Sequence, residues 1–308
     1  MITDDHMDNI HLIDVRMFGF TGWTSAYLVA GKKKVALIDT GPASSSEVVR
    51  AGIFKHGFAL KDITHIFISH IHLDHVGSAG ILLKEMPEAT VFVHPRVAKH
   101  VIDPSTMMDN MKREGGGKMA ARFGELLPVD SSRVRALSDG EVFDLGNGEK
   151  LKTIFTPGHA TSSISVIEEK NKGIFVGDAP GVYLAKENVV IIPSPFGSDL
   201  KQAMQSLKTL MGIPSKWLFC GHFGFCETPK ELLEVALKKM ERYWDIATKT
   251  MEENKPEEEI INRIVAENSA AVEVFKQRKD GLYEYFTEEL IPMWARGFAK
   301  YYMKQREG

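Results

Sequence analysis

Only two cysteines occur in this 308-residue chain, Cys220 and Cys226. Their spacing is not the Cys-x-x-Cys of a redox or structural zinc site. The pair therefore reads as packing, with Cys220 closing a buried strand and Cys226 a small apolar residue in the loop after it. No apolar run approaches the ~18 residues that a membrane-spanning helix needs. The acidic start, residues 1–9, has no basic segment followed by an apolar one. Lys and Arg number 38 against 41 Asp and Glu, a formal net charge of −3 with the signs interspersed, which leaves no footprint for a polyanion. These absences set three expectations: a cytoplasmic protein, no membrane anchor and no nucleic-acid partner. Internal repeats and low-complexity segments are missing too. With 44% hydrophobic residues, the chain can bury a sizeable core.

What is present is histidine in a particular place. Residues 70–75 read His-Ile-His-Leu-Asp-His and follow the strand-like run Ile63–Ser69. Three imidazoles and a carboxylate in six residues supply nitrogen and oxygen ligands for first-row metals. A core cannot easily use them, because each unsatisfied buried polar group costs ~1–3 kcal/mol. A solvated, histidine-rich turn is the plain alternative. Repetition decides between the two. Three further candidates each end a strand-like run: His159 after Ile154–Gly158, Asp178 after Gly173–Gly177, and His222 after Trp217–Gly221.

In these residues the chain resembles the metallo-β-lactamase fold superfamily of metallohydrolases, over roughly residues 10–226. The resemblance implies an α/β fold, a four-layer αββα sandwich. It also implies two metal sites: His70, His72 and His159 at one, Asp74, His75 and His222 at the other, and Asp178 bridging. Two divalent ions, zinc foremost with iron or manganese accepted by the same donors, would activate a shared water as hydroxide to cleave a thioester, ester or lactone of a small molecule. Asp74, beside both motif histidines, could serve as ligand and proton acceptor together. Asp39, at the end of the strand Lys34–Asp39, is expected to order the site by hydrogen bonding.

The superfamily's branches can be pruned. A zinc β-lactamase would lack either the bridging Asp or the His after the motif Asp, and both are here. A flavodiiron reductase would carry Glu in place of His72. What remains resembles the glyoxalase II, lactonase and quinolone-signal thioesterase branch. Two alternatives stay open: a persulfide dioxygenase holding a single iron, and a metal-binding regulatory or interaction protein with incidental turnover.

Residues 1–227 read as the catalytic domain and 228–308 as a helical extension. An aromatic tip, Phe18–Trp23, either packs on a neighbouring loop or touches substrate. A Met-rich helical insertion at about 102–130, with Met107, Met108, Met111 and Met119 and a triple glycine at 115–117, either lines an adaptable pocket or caps the core. Beyond Thr228, apolar residues recur at helical spacing, with Tyr283, Phe286, Leu290 and Trp294 on one face of the last helix and a kink at Pro292. Those stripes must dock on the metal domain, a substrate or a twin subunit, the last giving a homodimer through the extension. Tyr183 lies five residues beyond Asp178 in a loop of two glycines and a proline. Related lactonases place a tyrosine in this loop, at loosely similar spacing. Tyr183 is expected either to donate to the substrate's developing oxyanion or to pack its ring under the insertion.

Overall fold

The computed structural model describes residues 7–193 and 198–307. The first six residues of the acidic start lie outside the described residues. Strands β1 (Ile10–Asp14), β2 (Ser25–Ala30), β3 (Val35–Ile38), β4 (Ile63–Phe67), β5 (Thr90–Val93) and β6 (Val134–Ala136) form one sheet in that order. It starts antiparallel and turns parallel from β3 onward. The other strands are β7 (Val142–Gly146), β8 (Glu149–Phe155), β9 (Ile164–Glu168), β10 (Gly173–Gly177), β11 (Val182–Leu184), β12 (Val189–Ile191), β13 (Trp217–Cys220) and β14 (Phe225–Cys226). Six of them make a second sheet in the order β14-β13-β10-β9-β8-β7, while β11 and β12 pair as a separate ribbon.

Alternation along the strands accounts for the layering. Tyr27, Val29, Ala36, Ile38 and Phe67 of the first sheet meet Phe143, Leu151, Val166, Phe175 and Phe219 of the second in one buried cluster. Their neighbours one residue along, such as Leu28, Leu37, Ile174 and Leu218, belong to another cluster that includes helical residues. Successive side chains on a strand point to opposite faces, so each sheet shows one face to its twin and the other to helices. The result is the four-layer αββα sandwich.

The helices are α1 (Ser46–Lys55), α2 (Leu73–Val76), α3 (Ala79–Leu82), α4 (Ala98–Ile102), α5 (Ser105–Phe123), α6 (Leu200–Met211), α7 (Pro229–Glu252), α8 (Glu257–Glu267), α9 (Ser269–Lys276), α10 (Leu282–Glu284) and α11 (Ile291–Glu307). The expected insertion is α5, broken at Gly116, whose φ of 83° and ψ of 164° only glycine adopts without strain. After α7 the chain forms two helices, α8 and α9, separated at Asn268. Thr228 begins α7, but its hydroxyl sits 3.5 Å from the Cys226 Sγ and does not cap the helix. Cys226 is in β14, not in a loop, and both cysteines are buried and free. Residues Tyr285–Leu290 form a π-helical stretch between α10 and α11, just ahead of Pro292. No helix among the described residues is long and apolar enough to cross a membrane.

Candidate metal centre

Each of the candidate ligands sits where a strand ends. β4 runs into His70 and His72, and α2 follows at once with Asp74 and His75. His159 lies in the loop after β8, Asp178 directly after β10, and His222 just beyond β13. β10 and β13 are parallel neighbours, with Gly177 opposite Cys220, so Asp178 and His222 emerge side by side. A bridge from Thr24 to His222 ties this corner to the start of β2.

The seven side chains converge. His72 Nδ1 is 2.9 Å from His70 Nε2 and 3.0 Å from His159 Nε2. On the other side, Asp74 Oδ2 is 3.6 Å from His75 Nε2 and 3.8 Å from His222 Nε2. Asp178 reaches both groups: its Oδ2 lies 3.5 Å from His159 Nε2 and 3.3 Å from His222 Nε2, and its Oδ1 lies 3.5 Å from His75 Nε2.

The far side of each ring fixes its direction. His75 Nδ1 is 2.9 Å from Asp39 Oδ2, and His222 Nδ1 donates to the Trp23 carbonyl at 2.9 Å. Ser69 donates its hydroxyl to Asp39 Oδ2 at 2.7 Å, and the Ser69 Oγ accepts from His70 Nδ1 at 3.0 Å. With Nδ1 of these three rings carrying the proton, Nε2 presents a lone pair inward. Asp39 holds this arrangement together, taking the Ser69 amide as well at 2.7 Å from a backbone with φ of 59°.

Divalent cations fit this donor set. His75 Nε2 and Asp178 Oδ1 are buried without a hydrogen-bond partner, a loss of ~1–3 kcal/mol per group unless something else satisfies them. One N–H on His72 Nδ1 cannot fully serve both nitrogens that crowd it. A cation would satisfy all of these atoms together. Gly221 leaves the room, since a Cβ there would sit 2.5 Å from Asp178 Oδ1 and 2.8 Å from the His75 ring. The electrostatics agree. Burial holds His70, His72 and His159 below the ordinary histidine range, His159 at about 3, so all three are neutral donors. Burial acts the same way at His75 and His222, but the surrounding carboxylates, Asp74 and Asp178 at both and Asp39 at His75, reverse it and push both up. The field that draws protons to those rings draws a divalent cation too.

Above the donors is a cavity of about 260 Å³, walled by Met17, Met107, Met111, Met119 and Met293 among others, with His72, Asp74, His159, Asp178 and His222 at its base. The Met-rich insertion therefore lines the pocket, although Met108 packs outside it. The aromatic tip packs on neighbouring residues and also reaches the cavity. Trp23 lines the cavity and meets the His222 ring edge-on at 5.1 Å, while Phe18 packs on Phe123 and Tyr285. Arg122 stacks 4.2 Å over Phe18 and 4.9 Å over Tyr285, closing the roof between α5 and the helical extension.

Tyr183 is not brought to this cavity. It sits in β11 between Val182 and Leu184, and Val182 is the residue that lines the pocket. On a strand the next side chain points the other way, and burial, with Cys226 and Cys220 beside it, pushes the Tyr183 phenol up. The structure offers Tyr285 instead. This residue is 3% exposed, lines the cavity, feels the charge of Asp74, and makes no hydrogen bond through its hydroxyl to any described residue. Burial keeps its phenol protonated, so it can donate.

Comparison with known proteins accords with this geometry. Residues 22–222 match the metallo-beta-lactamase superfamily, and the chain belongs to that family. It is 30% identical over 235 residues to the metallo-beta-lactamase fold-containing protein ST1585 of Sulfurisphaera tokodaii, covering 75% of this chain and 84% of the relative. The crystal structure of the metallo-beta-lactamase family protein TTHA1429 from Thermus thermophilus superposes with a TM-score of 0.72 at 18% identity, over 97% of this chain and 95% of that one. That likeness is one of fold and extends through the C-terminal helices. An atrochrysone carboxyl ACP thioesterase of Aspergillus fumigatus is 23% identical over 227 residues, 71% of this chain and 56% of the relative.

Proposed function

We propose that the chain is a dinuclear metal-dependent hydrolase of small-molecule acyl compounds, with thioesters first and esters or lactones next. The observation that carries this reading is the convergence of seven donors, the buried Asp178 among them, with His75 Nε2 and Asp178 Oδ1 left unpaired by the protein itself. His70, His72 and His159 would hold one ion, Asp74, His75 and His222 the other, with Asp178 between; zinc is the first choice. A bound pair of such ions supplies a nucleophile from water at neutral pH and polarises the acyl carbonyl.

The rest is the chain's own work. Residues 1–227 form the catalytic domain in this reading, and 228–308 supply part of the cavity wall. The Met-rich walls hold an apolar acyl group and keep bulk water out, and flexible thioethers let groups of different shape be accommodated. Asp74, the carboxylate at the cavity base that remains partly open, takes the proton released as water adds. Tyr285 donates to the carbonyl oxygen as it gains charge. The preference for thioesters draws on the name of the Aspergillus fumigatus relative, a thioesterase.

The experiment is a panel of acyl thioesters, esters and lactones offered to protein stripped by chelator and then reloaded with zinc. Hydrolysis that disappears on stripping and returns on reloading is the expected result. Turnover that survives complete removal of metal would contradict the reading. Tyr285→Phe should lower kcat by about 10²–10³-fold, the usual cost of losing one oxyanion donor, with metal content and KM little changed. A rate within a factor of a few of wild type would dismiss that role.

A further inference from the structure

The metal cavity adjoins a second cleft. This cleft, about 440 Å³, is lined by Arg113, Glu114, Arg296, Lys300, Tyr301 and Lys304 among others. Glu114 lines both spaces, and two helices run from one to the other. On α11, Met293 and Trp294 face the cavity, and Arg296, Lys300 and Lys304 follow at helical spacing along the cleft. At 1.5 Å of rise per residue, Lys300 and Lys304 lie about 10 and 16 Å along the axis from Met293. α5 repeats the pattern, with Met107, Asn110 and Met111 at the cavity and Arg113 at the cleft. Each helix thus passes an apolar face over the metal donors and a cationic one beyond them.

The charge there is unbalanced. Of the lining cations, Arg113 lies 3.9 Å from the one lining carboxylate, Glu114, and donates to Asn110 Oδ1 at 2.8 Å, which leaves Arg296 and Lys304 to carry the excess. Among the described residues, Arg296 and Lys304 have no carboxylate partner and no hydrogen bond through their side chains. Asp199 touches the cleft only through the Tyr301 hydroxyl, at 3.2 Å, and already accepts from the Gln202 amide and side chain at 3.1 Å each. Like charges gathered in a concave surface repel one another, and a compact multivalent anion relieves the repulsion while forming charge-assisted hydrogen bonds.

We propose that this cleft is a phosphate subsite for the leaving group of the reaction, and that the substrate is the thioester of a phosphorylated pantetheine. The thiol arm carries its phosphate in coenzyme A or when attached to a carrier protein. This rests on the thioester reading above and adds the substrate class. The acyl group occupies the Met-lined cavity, the scissile C–S bond lies over the metal donors, and the arm runs along α11 to put its phosphate among Arg113, Arg296, Lys300 and Lys304. In the hydrolysis, the oxygen of water forms the new bond to the acyl carbon and the C–S bond breaks. The products are a carboxylate, the free thiol and one proton; the phosphate is unchanged.

The test measures binding as well as turnover. Titration calorimetry with coenzyme A, 4′-phosphopantetheine and pantetheine compares three thiols with the same reactive end, so a contribution from thiol and metal is common to all. The phosphorylated thiols are expected to bind at least about tenfold tighter than pantetheine, an advantage that shrinks with added salt. The double variant Arg296→Gln, Lys304→Glu should lose that advantage and keep its affinity for pantetheine. Equal affinity of 4′-phosphopantetheine and pantetheine for the wild type, or an unchanged advantage in the variant, would overturn the subsite. Similar affinities for coenzyme A and 4′-phosphopantetheine support it with a carrier-attached arm as sufficient, and tighter coenzyme A supports it with added contacts to the nucleotide. Hydrolysis of phosphate-free thioesters without a phosphate advantage refutes the subsite alone. A phosphate advantage without hydrolysis of any thioester refutes the thioester reading alone.

Discussion

His159→Ala is expected to leave one tightly held ion per chain in place of two and to cut turnover by about 10³-fold or more. The ring supplies one of the two nitrogens that lie within 3.0 Å of His72 Nδ1, and it lies 3.5 Å from the Asp178 carboxylate. Two histidines and Asp178 remain, and the loss of one of the three nitrogens weakens the hold on that ion. Electrostatic stabilisation by a metal is worth several kcal/mol, and each 1.4 kcal/mol is tenfold in rate. The fold should survive, because the backbone around His159 is held independently. Asp199 donates its amide to the Gly158 carbonyl at 2.8 Å, and Ser206 donates to the Pro157 carbonyl at 2.6 Å. Metal content by mass spectrometry and thermal unfolding check both halves of the expectation. A variant that keeps two ions and wild-type turnover would refute the assignment of this histidine.

Asp74→Asn should lower kcat by about 10²–10⁴-fold, the range for general acid–base assistance, with KM within a few-fold of wild type. Asparagine keeps the size and one coordinating oxygen but cannot take up a proton. Asp74 Oδ2 stands 3.6 and 3.8 Å from two ligand nitrogens, so its oxygen can touch an ion held there while the carboxylate faces the cavity. Steady-state kinetics on a thioester, with metal occupancy measured on the same sample, separates the two roles. Loss of metal along with rate would point to ligation, and unchanged turnover at full occupancy would show the carboxylate to be dispensable.

The side chains that converge at the candidate centre were legible in the sequence because their chemistry is dense and their context repeats. His70 to His75, His159, Asp178 and His222 each follow a strand-like run, and strands that end together bring their loops together. The sheets were legible for a similar reason, since alternation in segments such as Ser25–Ala30 assigns one face to each layer. Tyr183 and Tyr285 mark the limit. Distance along the chain placed Tyr183 near Asp178, but direction depends on strand parity, and pairing of β11 with β12 turns Val182 toward the cavity. Tyr285 lies in the π-helical stretch, where i→i+5 pairing departs from the 3.6-residue period. An apolar stripe read at α-helical spacing picks Tyr283 and Phe286 and passes over it. The roof over the candidate donors was hidden for another reason. It joins Phe18, Arg122 and Tyr285, which are far apart in the chain and meet only once the extension has docked.

A two-metal centre built from seven side chains is tested most simply by metal stoichiometry. Protein stripped of metal is titrated with zinc, and bound ions per chain are counted while thioester hydrolysis is followed in the same samples. Saturation is expected at two ions per chain, with His159→Ala saturating at one, and hydrolysis should track filling of the second position. Saturation of the wild type at a single ion with full activity would contradict it.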